Sequence, residues 1–204
     1  PAVALAAAYH TCAILDDGSV RCWGDNYAGQ LGDGTTTDRN TPTALSGWPS
    51  GRTAVALAGG AYHTCAILDD GSVRCWGNNG NGQMGDGTTT DRSTPQLVLV
   101  PLNMPFLAGG GSHTCAILVD GSVRCWGYNS NEQLGDGTNT DSSSPVSVDL
   151  GSGRTAAALA LGNSHTCAVL DDASLKCWGH GPNGEPCPGL TPSPSLIPIC
   201  RCRP

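Results

Sequence analysis

Eight cysteines stand in pairs with one spacing, and this is the pattern in the sequence with the clearest chemistry. Nine residues separate the members of each pair: Cys12 and Cys22, Cys65 and Cys75, Cys115 and Cys125, and Cys167 and Cys177. Paired cysteines form disulfides, bind zinc or fill a core as buried thiols. Zinc ligands usually come as closely spaced Cys-x2-4-Cys knuckles, which these pairs are not. The spacing therefore favours disulfides, with buried thiols as the alternative.

The residues around each pair predict a β-hairpin. The first copy reads His-Thr-Cys-Ala-Ile-Leu-Asp-Asp-Gly-Ser-Val-Arg-Cys-Trp-Gly, and near-copies begin at positions 63, 113 and 165. Two apolar runs flank Asp-Asp-Gly, and Gly18 supplies the left-handed residue of a three-residue loop. That loop sets Ile14 opposite Val20 and Cys12 opposite Cys22 on one face. The geometry permits a cross-strand disulfide.

Four histidines recur at the equivalent place in these copies: His10, His63, His113 and His165. Repeated units would spread them around a ring, so they would not converge on one metal ion or one substrate atom. We expect a structural role, with each imidazole bonded to a neighbouring loop. No Ser-His-Asp order, phosphate loop or paired-carboxylate signature rises above chance in a sequence so rich in Ser and Asp. We therefore predict no enzyme activity, no catalytic residue and no cofactor.

Three acidic loops, at positions 33–38, 86–91 and 136–141, contain the oxygen ligands that calcium prefers. They lack the spaced Asp/Asn ladder and the bidentate Glu of a dedicated calcium loop. Turn formation and capping by Asp explain them better, and we predict no metal site.

Composition narrows the class of protein. The chain has 17 acidic and 10 basic residues, a net charge of −7, and the hairpin bases fall singly, so nucleic acid and anionic membranes are poor partners. The sequence contains no run of 18 apolar residues, so it does not predict a membrane-spanning helix. Its 29 glycines and 14 prolines indicate short strands and many turns. Eleven cysteines indicate an oxidising, extracellular or cell-surface location.

The hairpins recur at a period typical of propeller blades. The first cysteines of successive pairs are 53, 50 and 52 residues apart. Each period contains a strand, the hairpin, a glycine-rich loop and a strand that starts near a proline, which amounts to one four-stranded blade. We therefore predict an all-β fold of about four antiparallel blades with almost no helix. The divisions are repeat 1 at 1–53, repeat 2 at 54–103, repeat 3 at 104–153, a degenerate repeat 4 at 154–181, and a Pro/Cys-rich cap or linker at 182–204.

These motifs resemble those of the regulator of chromosome condensation repeat family. The first period contains His10-Thr11, Trp23-Gly24, a Gly-Gln-Leu-Gly-Asp-Gly loop at 29–34 and the downstream Pro42. The second period repeats them, and the third has Glu132 in place of the first loop glycine. The resemblance implies a β-propeller, usually of seven blades. Four repeats would form an incomplete arc of such a ring, and we interpret the start at Pro1 as a mature or trimmed N-terminus.

The core is predicted from the hairpins. We expect it to contain the four hairpin tryptophans and the paired aliphatic residues Ile14, Val20, Ile67, Val73, Ile117, Val123, Val169 and Leu175.

Other residues are candidates for contact, modification or cross-linking. Trp48 is off the repeat pattern and is a candidate contact residue. Cys187 is expected to pair with Cys200 or Cys202, leaving one cysteine for an intermolecular link. Candidate O-glycan acceptors are Thr35, Thr36, Thr37, Thr88, Thr89, Thr90, Thr191, Ser193 and Ser195.

Three classes of function compete. The preferred hypothesis is a non-enzymatic extracellular assembly module, a subunit of a surface fibre or coat whose partners are copies of itself or other extracellular domains. A secreted propeller that binds proteins or glycans, such as an adhesin, a lectin-like unit or an enzyme inhibitor, is the alternative. The resemblance also implies nucleotide exchange on a small GTPase, but the cysteines and the absence of a protruding insertion argue against it.

Overall fold

The computed structural model describes residues 1–98 and 104–180, and every regular element in these ranges is a β-strand. Consecutive strands form four antiparallel sheets, which we call blades 1 to 4. Blade 1 contains β1 (Ala2–Ala7), β2 (His10–Leu15), β3 (Val20–Gly24) and β4 (Arg39–Ala44); blade 2 contains β5 (Ala54–Gly59), β6 (His63–Leu68), β7 (Val73–Gly77) and β8 (Arg92–Leu97); blade 3 contains β9 (Phe106–Gly109), β10 (His113–Ile117), β11 (Val123–Gly127) and β12 (Ser142–Ser147); blade 4 contains β13 (Ala156–Leu161), β14 (His165–Leu170) and β15 (Leu175–Gly179). The predicted all-β blade architecture is confirmed. Among the described residues no helix could cross a membrane.

The hairpin register is the predicted one. Ile14 lies opposite Val20 and Cys12 opposite Cys22, and the other three hairpins repeat this pairing. The Leu15 amide donates to the Ser19 carbonyl at 2.9 Å, which closes the loop, and Gly18 has a φ of 77°. In blade 4 Ala173 occupies the glycine position with a φ of 64°.

The structure joins the same four cysteine pairs by disulfides. Six of these cysteines, those of blades 1 to 3, are fully buried. Cys177 is buried and Cys167 is half-buried. The tail cysteines Cys187, Cys200 and Cys202, and the cap at 182–204, lie outside the described residues.

The core lies between the blades, because each sheet has two apolar faces. The forward face carries His10, Cys12 and Ile14 or their equivalents; the rear face carries Thr11, Ala13 and theirs. The forward faces of blades 1 to 3 each pack against the rear face of the next blade. Three clusters result, and each contains a disulfide of one blade and the alanine and tryptophan of the next.

The core prediction holds for six of the eight aliphatic residues and is wrong for two. Val169 is 39% exposed and Leu175 is half-buried, because no sheet in the described part of the chain covers the forward face of blade 4. Among the tryptophans, Trp76 and Trp126 are fully buried. Trp23 is half-buried because it lies on the uncovered rear face of blade 1. Trp178 is also half-buried, because β15 has no fourth strand beside it among the described residues.

Candidate functional site

The repeated histidine is one member of a hydrogen-bonded chain that crosses from blade to blade. His10 Nε2 lies 2.6 Å from Thr64 Oγ1, which lies 2.9 Å from the carbonyl oxygen of Gln30. The threonine hydroxyl has a single proton and donates it to that carbonyl, so the Nε2–H of His10 must be the donor in the first bond. Trp76 Nε1 donates to the same carbonyl at 2.9 Å. We call the His, Thr and Gln groups the inter-blade relay.

Two further copies of the relay join blades 2 to 3 and 3 to 4. Their His–Thr distances are 2.8 and 2.9 Å, and their Thr–carbonyl distances are 2.8 and 2.9 Å. The direct partner of each imidazole is thus a strand threonine, whereas the sequence predicted a loop. The members are His63, Thr114 and Gln83, then His113, Thr166 and Gln133.

Burial keeps these imidazoles uncharged. It lowers the pKa of His10 to about 4 and the pKa of His113 to about 3. The pKa of His63 is lowered to about 3, first by burial and then by repulsion from His10 and His113. At neutral pH the relay therefore joins neutral groups, which suits packing better than proton transfer.

An asparagine that the sequence analysis missed organises each glycine-rich loop. Asn26 is fully buried, and its Oδ1 accepts the amide of Leu31 at 2.9 Å. Its Nδ2 donates to the carbonyls of Thr35 and Thr37 at 3.1 and 3.0 Å. The signal was present as Trp-Gly-x-Asn in three periods, at Asn26, Asn79 and Asn129. This bonding places the Gln30 carbonyl where the next blade can reach it.

The loop carboxylates have the turn role that we predicted. Asp33 Oδ1 accepts the amide and the hydroxyl of Thr35 at 2.9 and 2.7 Å, and Arg39 Nε donates to its Oδ2 at 2.7 Å. Asp86 bonds Thr88 in the same way. Within 1–98 and 104–180, no group of three or more His, Cys, Asp or Glu side chains is arranged to hold a metal ion.

The two end faces of the array are unmatched halves of the blade-to-blade contact. On the rear faces, Leu107 and Leu159 are 6% and 7% exposed and Leu57 is half-buried, but the equivalent Leu5 of blade 1 is 65% exposed. On the forward faces, Ile117 is 5% exposed and the equivalent Val169 of blade 4 is 39% exposed. We call these two surfaces the end faces. They have the same side-chain types as the buried contacts but no partner among the described residues.

The other sequence candidates remain predictions. Trp48 is half-buried, lies edge-on to Trp76 with ring centroids 6.3 Å apart, and donates from Nε1 to the Arg52 carbonyl at 3.0 Å. Thr35 and Thr88 use their hydroxyls inside the loops. The acceptors with exposed side chains are Thr36, Thr37, Thr89 and Thr90. Thr191, Ser193 and Ser195 lie outside the described residues.

A tyrosine cluster, also missed from the sequence, lies across the loops of blades 1 and 2. The rings of Tyr9 and Tyr62 stack with centroids 5.1 Å apart and an interplanar angle of 10°. Tyr27 meets Tyr62 edge-on at 5.0 Å. A tyrosine precedes the repeated histidine in repeats 1 and 2, and a serine precedes it in repeats 3 and 4, so this difference between repeats is visible in the sequence.

A scan against protein families matches this chain to the regulator of chromosome condensation (RCC1) repeat. The matched segments are residues 17–67, 70–117 and 120–169, and a second model of the same repeat matches 54–83 and 156–185. Together the three RCC1 segments cover well over half of the chain.

Curated relatives share part of this chain. The ultraviolet-B receptor UVR8 of Arabidopsis thaliana is 35% identical over 89 residues, which is 44% of this chain and 20% of the receptor. The human E3 ubiquitin-protein ligase HERC2 is 36% identical over 86 residues, 42% of this chain and 2% of the ligase. The matched segments thus cover a fifth or less of these relatives' lengths.

Solved structures share the fold. Human WBSCR16 superimposes with a TM-score of 0.80 and 26% identity over 90% of this chain and 48% of its own. Yeast RCC1 (Prp20), in its complex with Kap60, gives 0.75 with 22% identity over 88% of this chain and 42% of its own. The CRINKLY ectodomain of the Arabidopsis thaliana receptor kinase ACR4 gives 0.54 with 26% identity over 91% of this chain and 51% of its own.

Proposed function

The chain belongs to the regulator of chromosome condensation (RCC1) repeat family, and from that premise we propose that it is a non-enzymatic, extracellular protein-interaction module that works by assembly. Its end faces bind each other, so that the rear face of blade 1 in one copy covers the forward face of blade 4 in another. The observation that carries the proposal is the exposure of Leu5 and Val169, whose equivalents are buried or half-buried in the contacts between blades.

The three existing contacts describe what the end faces can form. Each contains a His–Thr hydrogen bond and an aliphatic cluster. A fourth contact of this kind would set His165 against Thr11 of the next copy, both of which are half-buried. Because the two surfaces differ, the contact is heterologous, and it either closes into a ring or propagates as a filament. Covering such faces is also what repeat arrays require for solubility.

Two observations support the extracellular part of the proposal. Each of the four described blades contains one disulfide, and disulfides persist in oxidising compartments. The ACR4 ectodomain, at 26% identity, belongs to a receptor kinase. In alkylation of the native, unreduced chain, the eight hairpin cysteines should stay unlabelled; labelling at those positions would contradict this part.

The assembly part is tested by measuring molar mass by light scattering across a range of concentrations. We expect the mass to rise with concentration for the native sequence, and Leu5→Arg or Val169→Arg to hold the chain as a monomer. Both side chains are exposed, so neither change should alter the unfolding temperature of the monomer. Val119→Arg is the matched control, since Val119 is 72% exposed at a hairpin turn away from both end faces.

Mixing the two variants sharpens this test. The Leu5→Arg chain keeps an intact forward face and the Val169→Arg chain keeps an intact rear face. An equimolar mixture should therefore stop at a one-to-one dimer, whereas either variant alone stays monomeric. A native chain that is monomeric at every concentration, or a mixture that does not dimerise, would overturn assembly through the end faces.

A further inference from the structure

The tyrosine cluster of Tyr9, Tyr27 and Tyr62 links blades 1 and 2 through ring contacts, and none of its side chains belongs to the relay. The side chains of Tyr9 and Tyr27 are 61% and 59% exposed, so both present large aromatic surface to solvent. Tyr62 is half-buried between them and holds them in place by stacking and edge contacts. The three rings form one preorganised aromatic surface that spans two blades.

The surroundings of the cluster are negatively charged and concave. The carboxylates of Asp25 and Asp91 are exposed. The Asp25 amide donates to the Tyr9 carbonyl at 3.4 Å. The Asp91 carboxylate accepts the Asn79 amide at 2.7 Å, next to Asn78, whose own amide donates to the Tyr62 carbonyl at 2.8 Å. Both acids therefore flank the cluster, and the pKa of Tyr27, raised first by burial, then by Tyr62 and then by Asp91 and Asp25, agrees with this placement. Tyr9 also lines a depression of about 350 Å³ whose other walls are mostly glycine and alanine, including Gly60 and Gly110, together with Leu161 and Asn163.

We propose that this cluster is a binding site for an arginine side chain presented by a partner protein. A guanidinium is planar and cationic, so it stacks on a tyrosine face while its N–H groups reach carboxylates. The exposed faces of Tyr9 and Tyr27 supply the stacking surface, and Asp25 and Asp91 supply the acceptors. The depression beside Tyr9 has room for the backbone that carries the arginine. A neutral sugar would use the rings but would not need the two carboxylates.

The test uses a fluorescein-labelled Gly-Arg-Gly-Arg-Gly peptide and measures binding by fluorescence anisotropy. The control peptide replaces both arginines with citrulline, which keeps the shape and removes the charge. We expect saturable binding of the arginine peptide with a Kd below about 1 mM, and binding about tenfold weaker for the citrulline peptide. Affinity should also fall as salt is raised.

Variants locate the site. Tyr9→Leu and Asp25→Asn should each weaken binding several-fold without changing the unfolding temperature, because both side chains are exposed. Tyr128→Leu controls for loss of a tyrosine outside the three-ring cluster, and Glu132→Gln controls for loss of one exposed carboxylate. Both controls should bind as the native chain does.

Four outcomes would overturn the proposal. They are absence of saturable binding, equal affinity for the citrulline peptide, equal losses in the control variants, and Tyr9-dependent binding of a neutral oligosaccharide with none of the peptide. The last outcome would reassign the cluster to glycans. Peptide binding can be measured whether the chain is monomeric or assembled. Its outcome therefore does not depend on whether the end faces bind each other.

Discussion

The buried imidazole of His63 makes the folded chain sensitive to acid at a pH where its carboxylates are still ionised. Its pKa is about 3 in the folded chain, against 6.5 for an ordinary histidine, so the unfolded chain binds the proton more readily. The stability that depends on the neutral ring is complete above pH 6.5 and is lost as the pH falls from there toward 3. At pH 5 the loss should be about 2 kcal/mol for each such histidine.

This expectation is checked by denaturant unfolding at pH 7, 6 and 5. His63→Gln should lower the unfolding free energy at pH 7 by about 1 to 3 kcal/mol, because the relay loses its fit, and should reduce the loss between pH 7 and 5. His165→Gln is the control, since His165 is half-buried and has no threonine of a further blade against it in the described residues. Equal pH dependence in the native and His63→Gln chains would refute the assignment.

At the scale of the elements, glycines in the loops have two separable roles: they adopt a left-handed backbone conformation, and they let the next blade approach closely. Gly82 has a φ of 81°, and a Cβ there would lie 2.4 Å from Cα of Ser143 in the next blade. Gly87, in the same loop, has a φ of 80° and open space around it. Glu132 replaces the Gly82 equivalent in blade 3, where no β-strand follows β15 among the described residues to approach it.

Comparing Gly82→Ala with Gly87→Ala therefore isolates the close approach of blades 2 and 3. Gly87→Ala should cost about 1 kcal/mol, the penalty for a left-handed alanine. Gly82→Ala should cost about 2 kcal/mol more, because the neighbouring backbone must move. Thermal and urea unfolding measure both losses of stability. Equal losses for the two variants would show that blades 2 and 3 can move apart at Gly82 without a further loss of stability.

Ala173 offers the reverse experiment. It holds a φ of 64° at the hairpin position where the other three blades have glycine. Ala173→Gly should raise the unfolding free energy by about 0.5 to 1 kcal/mol by removing that strain. Gly121→Ala, the opposite change in blade 3, should destabilise, since its Cβ would also meet Thr155 at 2.5 Å. A destabilised Ala173→Gly chain would show that the blade 4 turn is not under strain.

The sequence predicted these elements well because their information is local. Loop length and alternation fix the partner of Cys12 within eleven residues, so register and disulfide pairing could both be derived. The relay could not, since Thr64 is 54 residues from His10 and only blade packing brings them together. Val169 was misassigned for a related reason: its burial depends on a neighbouring blade, which the pattern within its own strand does not reveal.

At the scale of the whole molecule, the end faces make one disulfide differ from the rest. The Cys167–Cys177 bond lies on the uncovered forward face of blade 4, and Cys167 is half-buried. The other three bonds are enclosed between blades, with both cysteines fully buried. Since thiol–disulfide exchange requires access to a sulfur, mild reduction should open the blade 4 bond first.

The same bond should report assembly. When a rear face of another copy covers blade 4, it covers Cys167, so reduction of the Cys167–Cys177 bond should slow as the protein concentration rises. Mild reduction, alkylation and peptide mapping at low and high concentration measure this for each pair separately. Val169→Arg should abolish the concentration dependence and leave the order of reduction unchanged. If all four bonds open together, access is governed by global unfolding and the blade 4 face has no special exposure; if the blade 4 bond opens at one rate at every concentration, the end faces do not meet.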